Sequence, residues 1–309
     1  MMTNAKRLKA DLTLLLVAVI WGSAFSAQRV AAETMPFFLY NGLRFALGAL
    51  TVFLLMKLQN QRVFNSISQL ELIGGCICGF LIFGGSNFQQ AGLHLTTAGK
   101  AGFITGLYVV LVPLFISIIA LVKPSNGRRT PHWSAWLAAI IAAIGLFLLS
   151  ATETFTLAFG DVIVLGGTSF WALHILAVGY LAPQVKPMRL AFIQYFTCAF
   201  LNLLASLILE STPLSAVLEV WWTIAYVGIF SVGIAYTLQV VGQQEAPEAD
   251  AAIIMSLEAV FAALFGWWLL SETLTRLQLF GCGLMLLGML LAQVGERIQF
   301  GQKIPSPSH

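Results

Sequence analysis

The chain is 309 residues long, 59% hydrophobic and 9% charged, with a formal net charge of +3 and a mean hydropathy of +0.87. A water-facing globule cannot hide that much apolar surface, so the chain is expected to be a polytopic, all-α membrane protein. It has no GxxxxGK[ST] motif and no soluble stretch long enough for a nucleotide-binding domain, which excludes primary pumping.

Run length, with Gly, Pro and charge as punctuation, places ten transmembrane helices at residues 11–32, 37–56, 70–91, 101–122, 133–150, 161–182, 190–209, 220–241, 251–270 and 277–294. Lys6, Arg7 and Lys9 precede the first run in the manner of a signal peptide, but the run is too long for one and further spans follow, so it reads as a retained span. Trp21 lies near its middle. Arg44, in the second span, is too deep to be an end residue. It fits either an anchor bonded to helix carbonyls or a partner for a substrate carboxylate or for Glu258, and a guanidinium holds charge without relaying protons. The third span carries Asn87, Gln89 and Gln90 just after Gly84 and Gly85, and the fourth carries Tyr108 and Pro113. Gly75/Gly79 and Gly102/Gly106 have the small-xxx-small spacing of close helix crossings.

The sixth span holds Trp171 and His174, and the eighth holds Tyr236 and Gln239. Uncharged donors and acceptors at depth serve equally as ties between helices and as walls of a site that binds a polar solute and releases it. His174 is a core histidine or a group that titrates near neutral pH. The ninth span, Ala251 to Ser271, has Glu258 as its one charge, and a carboxylate near mid-membrane faces a bundle interior, a partner or water. Glu258 fits a proton-coupling carboxyl, a ligand for a substrate amine, or a hydrogen-bonded helix tie. Residues 295–309 are polar with two prolines and read as a disordered cytoplasmic tail. The four cysteines, Cys76, Cys78, Cys198 and Cys282, lie in apolar runs as packing residues, and no Cys/His spacing marks a metal or haem site.

With the N-terminus inside and the spans alternating, twelve Lys and Arg fall on the cytoplasmic side and only Arg29, Lys100 and Arg276 on the other, so both termini are expected to be cytoplasmic. An offset of 150 residues aligns Asp11, Leu15, Trp21 and Ala27 with Asp161, Leu165, Trp171 and Ala177, and Gln89 with Gln239. It aligns Ala101, Ile104, Leu107, Val110, Leu114 and Phe115 with Ala251, Ile254, Leu257, Val260, Leu264 and Phe265. This divides the chain into residues 1–150 and 151–294, two repeats of five helices. An odd number per half inserts the second copy upside down, as in many secondary transporters with a midplane site. Trp133, Trp136, Trp221, Trp222, Trp267 and Trp268 sit near span ends as an interfacial belt. Trp21 and Trp171, equivalent and near the midplane, are either packing residues or two aromatic walls of one cavity.

Five stretches carry a resemblance to a known family: WGSAF (Trp21 to Phe25), NGLRFALGAL (Asn41 to Leu50), TTAGKAGFITGLYVVLVPL (Thr96 to Leu114), SLEAVFAALFGWWLLSETLT (Ser256 to Thr275) and the LQLFGCGLMLLGMLL that follows. In both halves and over nearly its whole length the sequence resembles the EamA family of the drug/metabolite transporter superfamily. The resemblance implies ten helices, cytoplasmic termini and movement of small organic solutes, often amino acids or related metabolites, often outward. Ala259 departs from the family, which commonly has Pro after the Glu, and its presence implies a straighter ninth helix.

The expected function is therefore secondary transport of small metabolites across a bacterial-type inner membrane, possible with or without proton coupling. A facilitator or channel is the alternative, and an intramembrane enzyme is disfavoured because no GxGD, HxxxxD or paired-Asp motif is present. The expected partners are a small-molecule substrate and the lipid bilayer, without nucleic acid or cofactor, and a monomer is compatible with the sequence.

Overall fold

A computed structural model describes residues 4–60, 67–95, 98–122, 131, 133–150, 159–211, 214–270 and 275–301. Among them all regular structure is helical, as a bilayer requires of backbone that cannot hydrogen-bond to water. The helices are α1 (Asn4–Thr34), α2 (Phe37–Leu58), α3 (Gln69–Leu93), α4 (Ala98–Gly106), α5 (Tyr108–Val122), α6 (Trp133–Ser150), α7 (Phe159–Leu181), α8 (Pro187–Leu209), α9 (Leu214–Glu219), α10 (Trp221–Tyr226), α11 (Thr237–Gly242), α12 (Glu248–Met255), α13 (Glu258–Leu270) and α14 (Arg276–Gly301). A π-helix, Val227–Tyr236, joins α10 to α11. Among the described residues, seven stretches are long and apolar enough to cross a membrane, and Trp133–Leu148 and Arg276–Leu291 are shorter apolar helices.

Helix starts follow local chemistry. Pro36 precedes α2, Pro187 opens α8 and Pro247 precedes α12, positions where a missing N–H costs nothing. Ser68 and Glu71 form a capping box at the start of α3. Carboxylates also tie distant ends together. Glu71 accepts from Arg189 at 3.4 Å, and Glu210 accepts from the backbone N–H groups of Phe38 and Leu39 at 2.9 and 2.8 Å. Arg7 bridges Asp11 at 2.9 Å and Asp250 at 2.7 Å, while Arg29 donates to the carbonyl of Leu93.

Two expected spans are interrupted. The fourth breaks at Leu107, where Leu107 N–H bonds the Ile104 carbonyl and Val110 N–H bonds the Leu107 carbonyl, a tightened turn after Gly106 and six residues short of Pro113. The ninth breaks at Ser256 and Leu257, which overturns the straight helix expected from the lack of a proline after Glu258. The Ser256 hydroxyl donates to the Ile253 carbonyl at 2.8 Å, and Leu257 and Ala259 both make bonds three residues back, to Ile254 and Ser256. A hydroxyl that competes for a carbonyl bends a helix without proline. A third difference lies at the C-terminus: α14 continues through Glu296, Arg297 and Gln299 to Gly301, since no proline stops it before Pro305, so the expected tail is helical at its start. Residues 302–309 lie outside the described residues.

Packing pairs recur at the 150-residue offset. α1 packs on α12 and α13 as α7 packs on α4 and α5; the π-helix packs on α2 as α3 packs on α8; α11 and the π-helix pack on α1 as α3 packs on α7. The remaining large contacts, α2 with α8 and α6 with α14, join equivalent spans to each other. Equivalent residues also touch directly. Phe45 and Tyr195 have ring centroids 6.5 Å apart, Tyr108 bonds Glu258, and a Cβ on Gly288 would come 2.9 Å from the Ala138 carbonyl oxygen. Of the two glycine motifs, Gly75 and Gly79 form a close α3–α8 crossing, a Cβ on Gly79 lying 2.6 Å from the Gln194 carbonyl oxygen, whereas a Cβ on Gly102 would meet open space.

Candidate functional site

Helical spacing brings the polar residues of the core to one place. On α1, Trp21, Phe25 and Gln28 recur at intervals of four and three and share a face; on α7, His174 and Ile175 lie three and four residues after Trp171, on its face. These faces, with Arg44 of α2, Gln89 of α3, Thr105 and Tyr108 on either side of the fourth-span break, Ser231 and Tyr236 of the π-helix, Gln239 of α11 and Glu258 of α13, line one cavity. It is narrow, about 40 Å³, on the order of three waters.

Tyr236 is its centre. Its ring lies 4.6 Å from that of Trp21 and 6.0 Å from that of Trp171, so it touches both tryptophans. Trp171 donates from Nε1 to Gln89 Oε1 at 3.1 Å, and its ring lies where a Cβ on residue 85 would be, 2.8 Å from Cε2, so Gly85 makes the room. Trp21 donates to the Ser231 carbonyl at 3.3 Å. His174 contacts Gln194 Oε1 through Nε2 at 3.1 Å and presents its ring edge to Trp171 and Tyr236.

Two ionisable groups face this space without meeting. Glu258 opens α13, where the helix N-terminus favours a carboxylate, and accepts from the Tyr108 hydroxyl at 3.2 Å. Arg44, 3% exposed, donates from Nε to Asn41 Oδ1 at 2.9 Å and from Nη1 to Gln28 Oε1 at 2.7 Å, and lies over the rings of Tyr40 and Phe45. Its partners among the described residues are neutral. No ion pair joins Arg44 to Glu258 among them.

Of the residues singled out from sequence, Trp21, Arg44, Gln89, Tyr108, Trp171, His174, Tyr236, Gln239 and Glu258 line the cavity. Asn87 and Gln90 do not. Asn87 accepts from Asn41 and donates to the Phe83 carbonyl, and Gln90 donates to the Gln28 carbonyl, so both amides brace the wall from behind. The sequence reading missed Gln28, Thr105 and Ser231. Gln28 had a signal, its place one helical face along from Trp21; isolated Ser and Thr in apolar helices carry none.

Equivalent residues of two related halves enclosing a polar chamber between membrane helices are the architecture of a multi-pass membrane transporter. The chain belongs to the EamA-like transporter family, which matches residues 8–151 and 158–293. An uncharacterized transporter of Archaeoglobus fulgidus is 32% identical over 291 residues, covering 94% of this chain and 88% of that protein. The transporter YoaV of Bacillus subtilis is 24% identical over 92% of this chain and 96% of its own length. The threonine/homoserine exporter RhtA of Escherichia coli K12 is 27% identical over 60% of this chain and 64% of its own. A chain of known crystal structure, 19% identical, superposes with a TM-score of 0.77 over 94% of this chain and 98% of that one, a likeness of fold.

Proposed function

We propose that the protein is a secondary carrier, built of ten helices in two inverted five-helix repeats, that exports small organic metabolites such as amino acids across a bacterial-type inner membrane. One observation carries this reading: four pairs equivalent at the 150-residue offset, Trp21 and Trp171, Phe25 and Ile175, Gln89 and Gln239, Tyr108 and Glu258, all line the same cavity. Two equivalent spans broken at the same place beside that cavity are the discontinuous helices that inverted repeats use to build a midplane site. Contacts between equivalent residues in three different span pairs support a pseudo-twofold axis through it. The ties from Arg7 to Asp250, Glu71 to Arg189, Glu210 to Phe38 and Arg29 to Leu93 each join span ends that ten alternating crossings put on one side, which supports the expected topology.

An amino acid suits the two charged walls. Arg44, buried among neutral amides, suits the carboxylate, because a buried cation without an opposing charge is costly. Glu258 suits the amine or a coupled proton. The kinship with RhtA supports amino acids and the outward direction. A cavity on the order of three waters must widen to admit such a solute, which supports a carrier that opens to one side at a time over a standing pore.

Purified protein in proteoliposomes should show saturable counterflow with a panel of amino acids and nucleosides. With a pH gradient imposed, Glu258→Gln, which keeps shape and hydrogen bonding, should lose proton-driven accumulation and keep part of the exchange, while Glu258→Leu should lose both. Accumulation retained in the Gln variant would make Glu258 a helix tie. Wild-type flux indifferent to the gradient would make the protein a facilitator in which Glu258 holds the substrate amine.

A further inference from the structure

The two halves differ at one point where their residues are the same. Around it the equivalence is close: a Cβ on Gly92 would strike Val164, and one on the equivalent Gly242 would strike the equivalent Leu14. Farther toward the cavity, Trp171 bonds Gln89 at 3.1 Å. The equivalent bond, from Trp21 to Gln239, is not made. Gln239 is fully buried and donates from Nε2 to Gln243, but its Oε1 has no hydrogen-bond partner among the described residues. Trp21 Nε1 rests on the Ser231 carbonyl at 3.3 Å, a longer bond than its counterpart. A buried carbonyl oxygen left unpaired and a loosely held N–H donor, both on residues that line the same cavity, are the two halves of a bond that a different arrangement of the helices would close.

We infer that these two tryptophan–glutamine bonds are exchanged during transport: the conformation described here has Trp171–Gln89 closed and Trp21–Gln239 open, and the conformation that faces the other side of the membrane has the reverse. The inference rests on the carrier reading above. In an inverted repeat the two access states are mirror uses of the two halves, so a contact made in one half only is one that changes sides. The wall of the second half is built differently at this point. Gly85, beside Trp171, is matched by Ala235, whose extra methyl sits in the π-helix, and the wide π turn is where a helix shifts register most readily. Each bond lowers the free energy of one state alone, so losing one must shift the population away from the state that contains it.

The test is carried out on the full chain, with its four cysteines replaced by alanine and a reporter cysteine placed at Phe25 or Ile175, both on the cavity wall. Labelling by a membrane-impermeant maleimide is compared in right-side-out and inside-out vesicles, with counterflow measured in the same preparations. Gln89→Leu should shift the ratio of labelling from the two faces one way, and Gln239→Leu should shift it the opposite way, each by about fivefold, the effect of one neutral hydrogen bond. Trp171→Phe and Trp21→Phe, which keep an aromatic ring and remove the N–H, should repeat the two shifts and serve where a leucine variant fails to insert. Shifts in the same direction, or none, in variants present at wild-type abundance would overturn the exchange while leaving the carrier intact. Wild-type protein without saturable counterflow would remove the carrier reading, and the exchange with it.

Discussion

Tyr236 is the residue on which the cavity turns, because its ring touches both tryptophans, one from each half of the chain. Removing either indole opens the wall at the centre of the proposed site, so Trp21→Ala and Trp171→Ala should each slow transport by about tenfold, ~1.4 kcal/mol in barrier, at normal membrane abundance. Trp222→Ala should leave the rate unchanged, since that side chain is 45% exposed on the outside of the bundle. A uniform response of all three in a flux assay normalised to protein would remove the aromatic wall from the mechanism. Gly85→Ala makes a sharper probe. Its methyl would come 2.8 Å from the Trp171 ring, so the indole must leave Gln89, and the variant should transport as poorly as Gln89→Leu while remaining folded by thermal melting in detergent. Most of these residues were legible in the sequence because an amide, phenol, indole or carboxyl deep in an apolar run stands out. Which faced the cavity was not: Asn87 and Gln89 are two residues apart, on different sides of α3, and only packing tells the wall from its brace.

At the level of elements, the interruptions matter more than the helices. Proline was the natural signal for a break, yet the fourth span breaks ahead of Pro113 and the ninth breaks with no proline at all, because a serine hydroxyl and two tightened turns suffice. Neither device is distinguishable in sequence from ordinary helix. The π-helix is equally silent, since its residues differ from its α-helical neighbours only in where the backbone bonds go. Ser256→Ala should favour a continuous ninth helix and slow the opening of the cavity; the expected result is a severalfold lower exchange rate with slower amide hydrogen exchange at Leu257 to Ala259. Unchanged exchange in both senses would mean that Ser256 does not set the break. The α3–α8 crossing tests rigidity instead. Gly79→Ala places a methyl 2.6 Å from a backbone oxygen and should destabilise the protein by about 1–3 kcal/mol, read as a lower melting temperature.

At the level of the whole molecule, the orientation is proposed from charge, and packing bears only on which helix ends share a face. The basic residues divide twelve to three, and the polar ties join ends that this division puts on the same face. A reporter fused after Gly301 should therefore be cytoplasmic and one placed after Thr154 periplasmic; a periplasmic C-terminus would require a different number of crossings. The repeat was legible as an offset because a few large or polar residues kept their register. How the halves meet was not, since the partners across an axis are set by three-dimensional closure and leave no local pattern.

The Tyr108–Glu258 bond has a consequence for descent. Two separate copies of one five-helix chain, paired about a twofold axis, would set the residue at this position against its own duplicate: phenol facing phenol, or carboxylate facing carboxylate with their charges in repulsion. A phenol donating to a carboxyl, at 3.2 Å between positions equivalent in the proposed repeat, pairs two different residues, and that requires the two sides to be encoded separately. The same holds for Phe45 against Tyr195 and for Ala138 against Gly288. In the proposed inverted repeat, carrying both halves on one chain leaves the few positions nearest the axis free to differ, and at 108 and 258 they differ as a phenol that donates and a carboxyl that accepts.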